Sequence, residues 1–357
     1  MSSFVSILFA ILLFSLLIFV HELGHFLTAK LFKVRVNEFS MFMGPAIFKK
    51  QVGETLYSIR CIPMGGYCAM EGEDGDSDDP RSFQKAAWWK RLIILVAGAA
   101  MNFIAGLLLY TIIFMPMTQM GTAEISGFEA YSTVNTAEGL QVGDELLSID
   151  GEKIYIHSDF STILYFSEDE THDLVVLRNG KKVRLENVKL ELHDVALEDG
   201  TTVQKYGINF KIIEPTFLDK LSFIWNYTLD DIRNVRMSLH MLVTGRAGFK
   251  DMSGAVGIVD MMTTAATASE TWVDALTTLL YFGGFLAVNL AVMNLLPIPA
   301  LDGGRAVGLL LTTVIEKIIG KKIDPKYEGY IHAAGMVLLL GLMAVITFKD
   351  IFTIFKR

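Results

Sequence analysis

The chain has 357 residues, of which 52% are hydrophobic, and its mean hydropathy is +0.43. This composition is too apolar for an ordinary soluble enzyme and is typical of a protein with several membrane spans. The net charge of −8 argues against nucleic acid as a partner, and two cysteines, Cys61 and Cys68, are too few for a disulfide scaffold.

Four apolar stretches are long enough to cross a bilayer, which takes about 20 mainly apolar residues. They predict transmembrane helices over 4–30, 92–117, 275–302 and 331–350. The segments between them are predicted as a loop at 31–91, a soluble α/β domain at 118–214, an amphipathic linker at 215–274 and a loop at 303–330. The expected fold is therefore a polytopic α-helical membrane protein with one domain outside the bilayer.

Lysine and arginine indicate the orientation of these helices. Residues 30–91 hold ten of them and residues 303–330 hold five, whereas Met1–Ser3 holds none. Cytoplasmic loops are enriched in these residues. The sequence therefore predicts a multi-pass membrane protein, with both basic loops cytoplasmic and the 118–214 domain extracytoplasmic.

Two histidines and a glutamate lie inside the first apolar stretch, in the sequence HELGH. His21 and His25 are four residues apart, so on a helix they share one face and can bind one metal ion, while Glu22 is placed as a general base. This is the zincin arrangement, and it predicts a zinc hydrolase. The alternative, two histidines packed in a helical bundle, must also account for three polar residues at membrane depth.

A catalytic zinc ion needs a third protein ligand. His332, which opens the fourth stretch, is one candidate. Asp302 is the better one, because it ends the third apolar stretch and the first and third helices run in the same direction. His21 lies roughly 26 Å along the first helix, at a depth near that of Asp302. The predicted metal ligands are therefore His21, His25 and Asp302, and the predicted catalytic residue is Glu22.

Strand patterns flank the second span. Residues 34–70 alternate as a hairpin would, for example in Tyr57, Ile59 and Cys61, and such a hairpin beside the metal could hold a substrate strand. Residues 139–154 and 172–192 resemble a PDZ domain, which captures an extended peptide at a sheet edge. A compact spacer without a ligand is the alternative.

Residues 218–243 predict an amphipathic helix, which lies either on the outer membrane surface or against the core of the soluble domain.

Three motifs together resemble the site-2 protease family of intramembrane zinc metalloproteases: HELGH, WKRLIILVAGAAMN and NLLPIPALDGGR. Two further motifs, MSGAVGI and GLQVGDELLSIDG, resemble its bacterial branch with a PDZ domain, the regulator of sigma-E protease type. The resemblance implies a protein of the bacterial plasma (inner) membrane that cleaves in or near transmembrane segments of membrane proteins, such as anti-sigma factors or remnant signal peptides. It implies substrate-positioning roles for Asn294 and Asn289. AGAAMN departs from the family's AGPxxN and leaves the role of Asn102 open.

Two other functions use the same residues differently. A zinc carrier would line its path with His21, His25 and Asp302 but would need neither Glu22 nor a peptide-binding domain. A catalytically silent membrane scaffold would not need Glu22 either. The effect of Glu22→Gln on turnover and on zinc binding separates the three functions.

Overall fold

The computed structural model describes residues 2–73, 75, 77–134, 139–196, 201–321 and 326–356. The chain divides into two compact units, one made of Met1–Ile113 and Ser238–Arg357 and the other of Phe114–Met237. The helices are α1 Ser3–Leu31, α2 Trp88–Phe114, α3 Asp159–Phe166, α4 Phe217–Thr244, α5 Ala255–Thr267, α6 Trp272–Asn294, α7 Asp302–Ile319 and α8 Lys326–Phe355. The strands are β1 Val36–Val52, β2 Thr55–Met70, β3 Met120–Phe128, β4 Glu145–Ile149, β5 Glu152–Lys153, β6 Thr171–Arg178, β7 Lys181–Lys189, β8 His193–Ala196, β9 Thr202–Lys205 and β10 Ile208–Ile213.

Four helices are long and apolar enough to cross a membrane: α1, α2, α6 and the part of α8 from Gly329 to Phe355. Glycines let three of them pack closely. A Cβ at Gly24 of α1 would lie 2.4 Å from the Ala97 carbonyl oxygen of α2, and one at Gly284 of α6 would lie 2.5 Å from the Tyr110 ring of α2. Small residues at such crossings are typical of membrane bundles, where van der Waals packing holds helices together.

The third apolar helix is shorter than the sequence predicts. It ends at Asn294 rather than at 302, because Pro297 and Pro299 lack the N–H group that an α-helix needs. The chain turns through Ala300, whose φ is +79°, and Asp302 opens α7 instead of closing α6. The predicted loop at 303–330 therefore contains α7, and the predicted linker at 215–274 contains α4 and α5.

Strands β1 and β2 form an antiparallel hairpin that is folded in half. Residues 36–41 of β1 pair on one side with residues 66–70 of β2 and on the other side with residues 56–59. The bends occur near Gly44 and Gly65, whose φ values of +85° and +78° suit glycine. Residues 46–52 and 66–70 are therefore the outer strands of the curled sheet.

A buried carboxylate on α8 holds the start of α5. Asp350 is 4% exposed and accepts hydrogen bonds from the backbone N–H groups of Gly254, at 2.8 Å, and Gly257, at 3.0 Å. Both N–H groups lack a partner within their own helix. The motif MSGAVGI thus provides the partners for an ionisable residue in an apolar helix.

The second unit is a mixed domain around one apolar core. Its sheet has the strand order β10-β3-β4-β6-β7, with β5 paired to β4, and β8 and β9 form a separate ribbon. Helix α3 contributes Phe160 and Ile163 to a core that includes Leu146, Ile149 and Leu174. Strand β10 is at the edge of the sheet among the described strands.

Asp159 of this unit is fully buried beside Arg233 of α4, with 2.9 Å between Oδ1 and Nη2, and Arg233 also contacts Asp230. Burial, with a contribution from Asp230, raises the pKa of Asp159 to about 6. Because the folded-state pKa lies above the unfolded value, this proton stabilises the fold below about pH 4, and the effect is lost as the pH rises through 6.

We expect Asp159→Asn to raise the melting temperature of this unit at pH 7 relative to the wild type, and to change it little at pH 4. Scanning calorimetry of the full chain in detergent measures the difference between the two proteins at each pH. An equal difference in melting temperature at both pH values would contradict the raised pKa of Asp159.

Candidate metal centre

Three side-chain atoms from distant parts of the chain converge in the first unit. Nε2 of His21 lies 3.0 Å from Oδ2 of Asp302, and Nε2 of His25 lies 3.2 Å from the same oxygen. The two Nε2 atoms are 3.2 Å apart. Both histidines are buried, at 9% and 7% exposed, and Asp302 is half-buried. Among the described residues, they are the one group of three or more potential ligands this close together.

The spacing of these atoms fits a zinc ion. Zinc bonds to histidine nitrogen and carboxylate oxygen are about 2.0–2.1 Å long, which puts tetrahedral ligand atoms about 3.3 Å apart. Asp302 Oδ2 is buried and makes no hydrogen bond in the described part of the chain. Three lone-pair atoms at these distances repel one another unless a proton or a cation lies between them. The donor set of two imidazoles and one carboxylate is also one that zinc favours.

The loop before α7 positions the aspartate. Gly303 and Gly304 pack directly on preceding carbonyl groups: an added Cβ would lie 2.3 Å from Leu295 O and 2.2 Å from Ile298 O respectively. His332 Nδ1 accepts a hydrogen bond from the Ala300 N–H at 3.0 Å. The alternative ligand His332 is therefore outside the cluster and holds the loop that carries Asp302.

Glu22 lies beside the cluster without being one of its three members. Its Oε2 accepts a hydrogen bond from the backbone N–H of Cys68, at 3.0 Å, on the outer strand of the hairpin. The carboxylate is thus oriented by the curled sheet while Oε1 is left for other contacts. The sequence did not point to this contact, because it depends on which edge of the hairpin faces α1.

The two asparagines of α6 differ in their surroundings. The Asn289 side chain donates to the Phe285 carbonyl of its own helix, at 2.7 Å. Asn294 is the last residue of α6 and half-buried, and no hydrogen bond of its side chain occurs among the described residues. Their substrate-positioning roles remain predictions.

One face of α2 lies against both histidines. The Ile94 carbonyl oxygen is 2.8 Å from His25 Nδ1, which must be the donor because a carbonyl only accepts. A Cβ at Gly98 would lie 2.4 Å from His25 Nε2 and 2.6 Å from His21 Cε1. Asn102 continues this face at the same four-residue spacing. In the sequence, the four-residue spacing of Gly98 and Asn102 in AGAAMN indicated that they share a helix face. It did not indicate that this face contacts the histidines.

We expect Gly98→Ala to weaken zinc binding by about tenfold or more, because the methyl group displaces an imidazole, and changes to ligand orientation cost about 10–100-fold. Equilibrium dialysis against graded chelator measures the affinity. Gly341→Ala on α8 is the matched control, since nothing lies within 4 Å of its Cβ position. Equal affinities for the two variants would contradict the close packing on the ligands.

Comparison with known proteins assigns the family. The model of Peptidase family M50 matches residues 9–342. A provisionally named zinc metalloprotease of Clostridium perfringens is 38% identical, with 97% of this chain and 98% of the relative aligned. The regulator of sigma-W protease RasP of Bacillus subtilis is 29% identical, with 97% and 98% aligned. The zinc metalloprotease RasP of Oceanobacillus iheyensis is 27% identical, with the same shares aligned.

The match covers nearly the whole chain and includes most of the first apolar helix and the loop that carries Asp302. The four apolar helices agree with a multi-pass membrane protein, and the relatives' names agree with zinc as the cofactor. The chain belongs to Peptidase family M50, the site-2 protease family, and is a membrane zinc metalloprotease.

Proposed function

We propose that this protease hydrolyses peptide bonds in or near transmembrane segments of other membrane proteins, with His21, His25 and Asp302 as zinc ligands and Glu22 as general base. The observation that carries the proposal is the depth of the cluster. His21 lies 18 residues after Ser3 in an apolar helix, which is about 27 Å along its axis. A peptide bond that reaches these ligands is therefore one that enters the bilayer.

Bound zinc would polarise a peptide carbonyl and lower the pKa of a water molecule to about 7. Glu22 Oε1 would take one proton from the attacking water and pass it to the departing amide nitrogen. The hydrogen bond from Cys68 N–H to Oε2 supports this role, since it holds the carboxylate in one orientation through both transfers. Asn294, at the end of α6, would orient the substrate carbonyl, and Asn289 would support it from the preceding turn.

The hairpin would supply partners for a substrate that has lost its helical hydrogen bonds. Unsatisfied backbone groups in lipid cost several kcal/mol each, so an opened helix needs new partners. Residues 66–70 form an outer strand whose Cys68 N–H already points at Glu22. Ser15 of α1 donates to the Pro63 carbonyl at 2.6 Å, which fastens the chain to α1 just before the bend that leads into this strand. An extended substrate would add along this edge.

The natural substrates we propose are anti-sigma factors or remnant signal peptides. The name of the Bacillus subtilis relative connects that protein with sigma-W. The distribution of lysine and arginine supports cytoplasmic placement of the active-site end and extracytoplasmic placement of the 118–214 domain.

The second unit would act as a PDZ-like peptide-binding domain. A groove of about 810 Å³ lies between α3 and the edge strand β10, and its lining includes Ser158, Ser161, Tyr165, Gly207 and Asn209. An extended peptide could add to β10 and place side chains against α3. This supports capture of substrate termini or exclusion of bulky external domains.

Cleavage should depend on how easily the substrate helix opens. We expect substrates with Gly or Asn near the scissile bond to be cut faster than versions with Leu and Ala, since glycine is less favourable than alanine in a helix by about 1 kcal/mol. Cleavage rates by purified enzyme in detergent, with substrates matched in hydrophobicity, measure the effect. Equal rates would contradict the unwinding step, and cleavage that persists in excess chelator would contradict the zinc chemistry.

Ile59 pairs with Met41 on one side and Phe48 on the other, so Ile59→Pro provides a test of the hairpin in the same assay. The variant should lose turnover but keep zinc, because the substitution removes a backbone donor from the sheet and leaves the ligands in place. Normal turnover would contradict a role of the hairpin in holding substrate.

A further inference from the structure

The proposed ligand set requires a defined tautomer for each histidine. The two Nε2 atoms point at Asp302 Oδ2, so each must keep a lone pair on Nε2 in order to bind a cation. In a neutral imidazole the proton then resides on Nδ1, which needs an acceptor. For His25 that acceptor is the Ile94 carbonyl oxygen, at 2.8 Å.

His21 faces a carboxamide instead of a carbonyl. Its Nδ1 lies 3.4 Å from Nδ2 of Asn102, so two donors face each other if His21 carries the required proton. Asn102 is 1% exposed, and its Oδ1 is buried without a hydrogen bond in the described part of the chain. A half-turn of the carboxamide exchanges its oxygen and nitrogen with almost no change in shape. That half-turn converts the donor–donor contact into a hydrogen bond and gives the buried oxygen a donor.

We infer that Asn102 Oδ1 accepts a hydrogen bond from His21 Nδ1–H and thereby holds His21 in the tautomer that binds zinc. The inference rests on the proposed ligands. It makes Asn102 a positioning residue that acts on the metal through His21. The motif AGAAMN thus keeps the asparagine, and its carboxamide faces Nδ1 of His21.

The face of α2 accounts for both histidines together. Ile94, Gly98 and Asn102 are spaced four residues apart, so they follow one side of the helix. Ile94 offers its carbonyl oxygen to His25, and Gly98 leaves room for both imidazole rings. Asn102 offers an acceptor to His21. One helix therefore orients both imidazoles, and a shift of α2 would disturb both.

The test compares three substitutions of Asn102 by zinc affinity, measured on the purified full-length protein in competition with a chelator. Asn102→Leu keeps the branched side-chain skeleton and removes the acceptor, and we expect affinity to fall about 10–100-fold. Asn102→Asp restores an acceptor and should bind zinc within a few-fold of wild type. Asn102→Ala should resemble leucine. Thr111→Val, which removes a hydroxyl bonded to Leu107 of the same helix, is the control and should leave affinity unchanged.

Two measurements separate the outcomes. If Asn102 only fills space, Asn102→Leu will keep wild-type zinc affinity, or Asn102→Asp will be as weak as leucine, and either result overturns the inference. If His21→Ala itself leaves zinc affinity unchanged, the proposed ligand set fails instead. The visible spectrum of the Co²⁺-substituted protein provides a second readout: a changed ligand field in Asn102→Leu, with recovery in Asn102→Asp, supports orientation through His21.

Discussion

Glu22→Gln should bind zinc as tightly as the wild type and lose turnover by about 10²–10⁴-fold, the usual contribution of a general base. The glutamine side chain is almost isosteric, and its carbonyl oxygen can still accept the hydrogen bond that Cys68 N–H now gives to Oε2. The position of the side chain should therefore be preserved. What is lost is the capacity of the other oxygen to take a proton.

Zinc content and peptide cleavage must be measured on the same purified sample, so that a folding defect is not mistaken for a catalytic one. His21→Ala is the contrasting variant, because it should lose metal and activity together. Turnover by Glu22→Gln within tenfold of the wild type would remove Glu22 from the reaction. Loss of zinc in the same variant would instead make Glu22 a ligand.

Asp302→Ala should lose both zinc and activity. The substitution removes one of three converging ligand atoms, and its effect should exceed the 10–100-fold typical of residues that only orient a ligand. It also leaves the two Nε2 atoms 3.2 Å apart without their carboxylate. Zinc retained during dialysis against graded chelator measures the loss.

His332→Ala is the matched control for the third ligand. Its Nδ1 accepts from the Ala300 N–H, two residues before Asp302, so the substitution loosens the same loop without removing a ligand. The expected loss of zinc affinity is smaller than that of Asp302→Ala. The reverse order of the two variants would show that the third ligand is His332.

The chemistry of the site was accessible from sequence because its central spacing is local. Two histidines four residues apart share a helix face whatever the rest of the chain does. Their place in an apolar stretch limits the explanations, since uncompensated polar groups there are costly. Asp302 was predicted as the third ligand because it follows the third apolar stretch, and the structure brings it to the two histidines although it opens α7 instead of ending α6.

Features that depend on packing between distant segments were not accessible in this way. The alternation of apolar and polar residues predicted strands within 34–70. It carries no information about the bends at Gly44 and Gly65, or about which edge of the sheet contacts Glu22. The apolar composition likewise predicted a third helix that runs to residue 302, whereas Pro297 and Pro299 make the helix end at Asn294. Hydropathy describes how a side chain partitions between water and an apolar phase. It does not register that proline lacks the backbone N–H that a helix needs.

From the sequence alone, the pairing of His21 and His25 on one helix face, the glutamate beside them and the four apolar helices could be predicted, because spacing along one helix and apolar length are properties of short segments. The backbone atoms that orient these side chains became visible in the folded chain: Ile94 O for His25 and Cys68 N–H for Glu22. Those contacts join residues 69 and 46 positions apart. Their partners are a backbone carbonyl and a backbone N–H, which nearly all residues carry, so no side-chain pattern marks them. Only the close approach of α1, α2 and the folded hairpin brings them together.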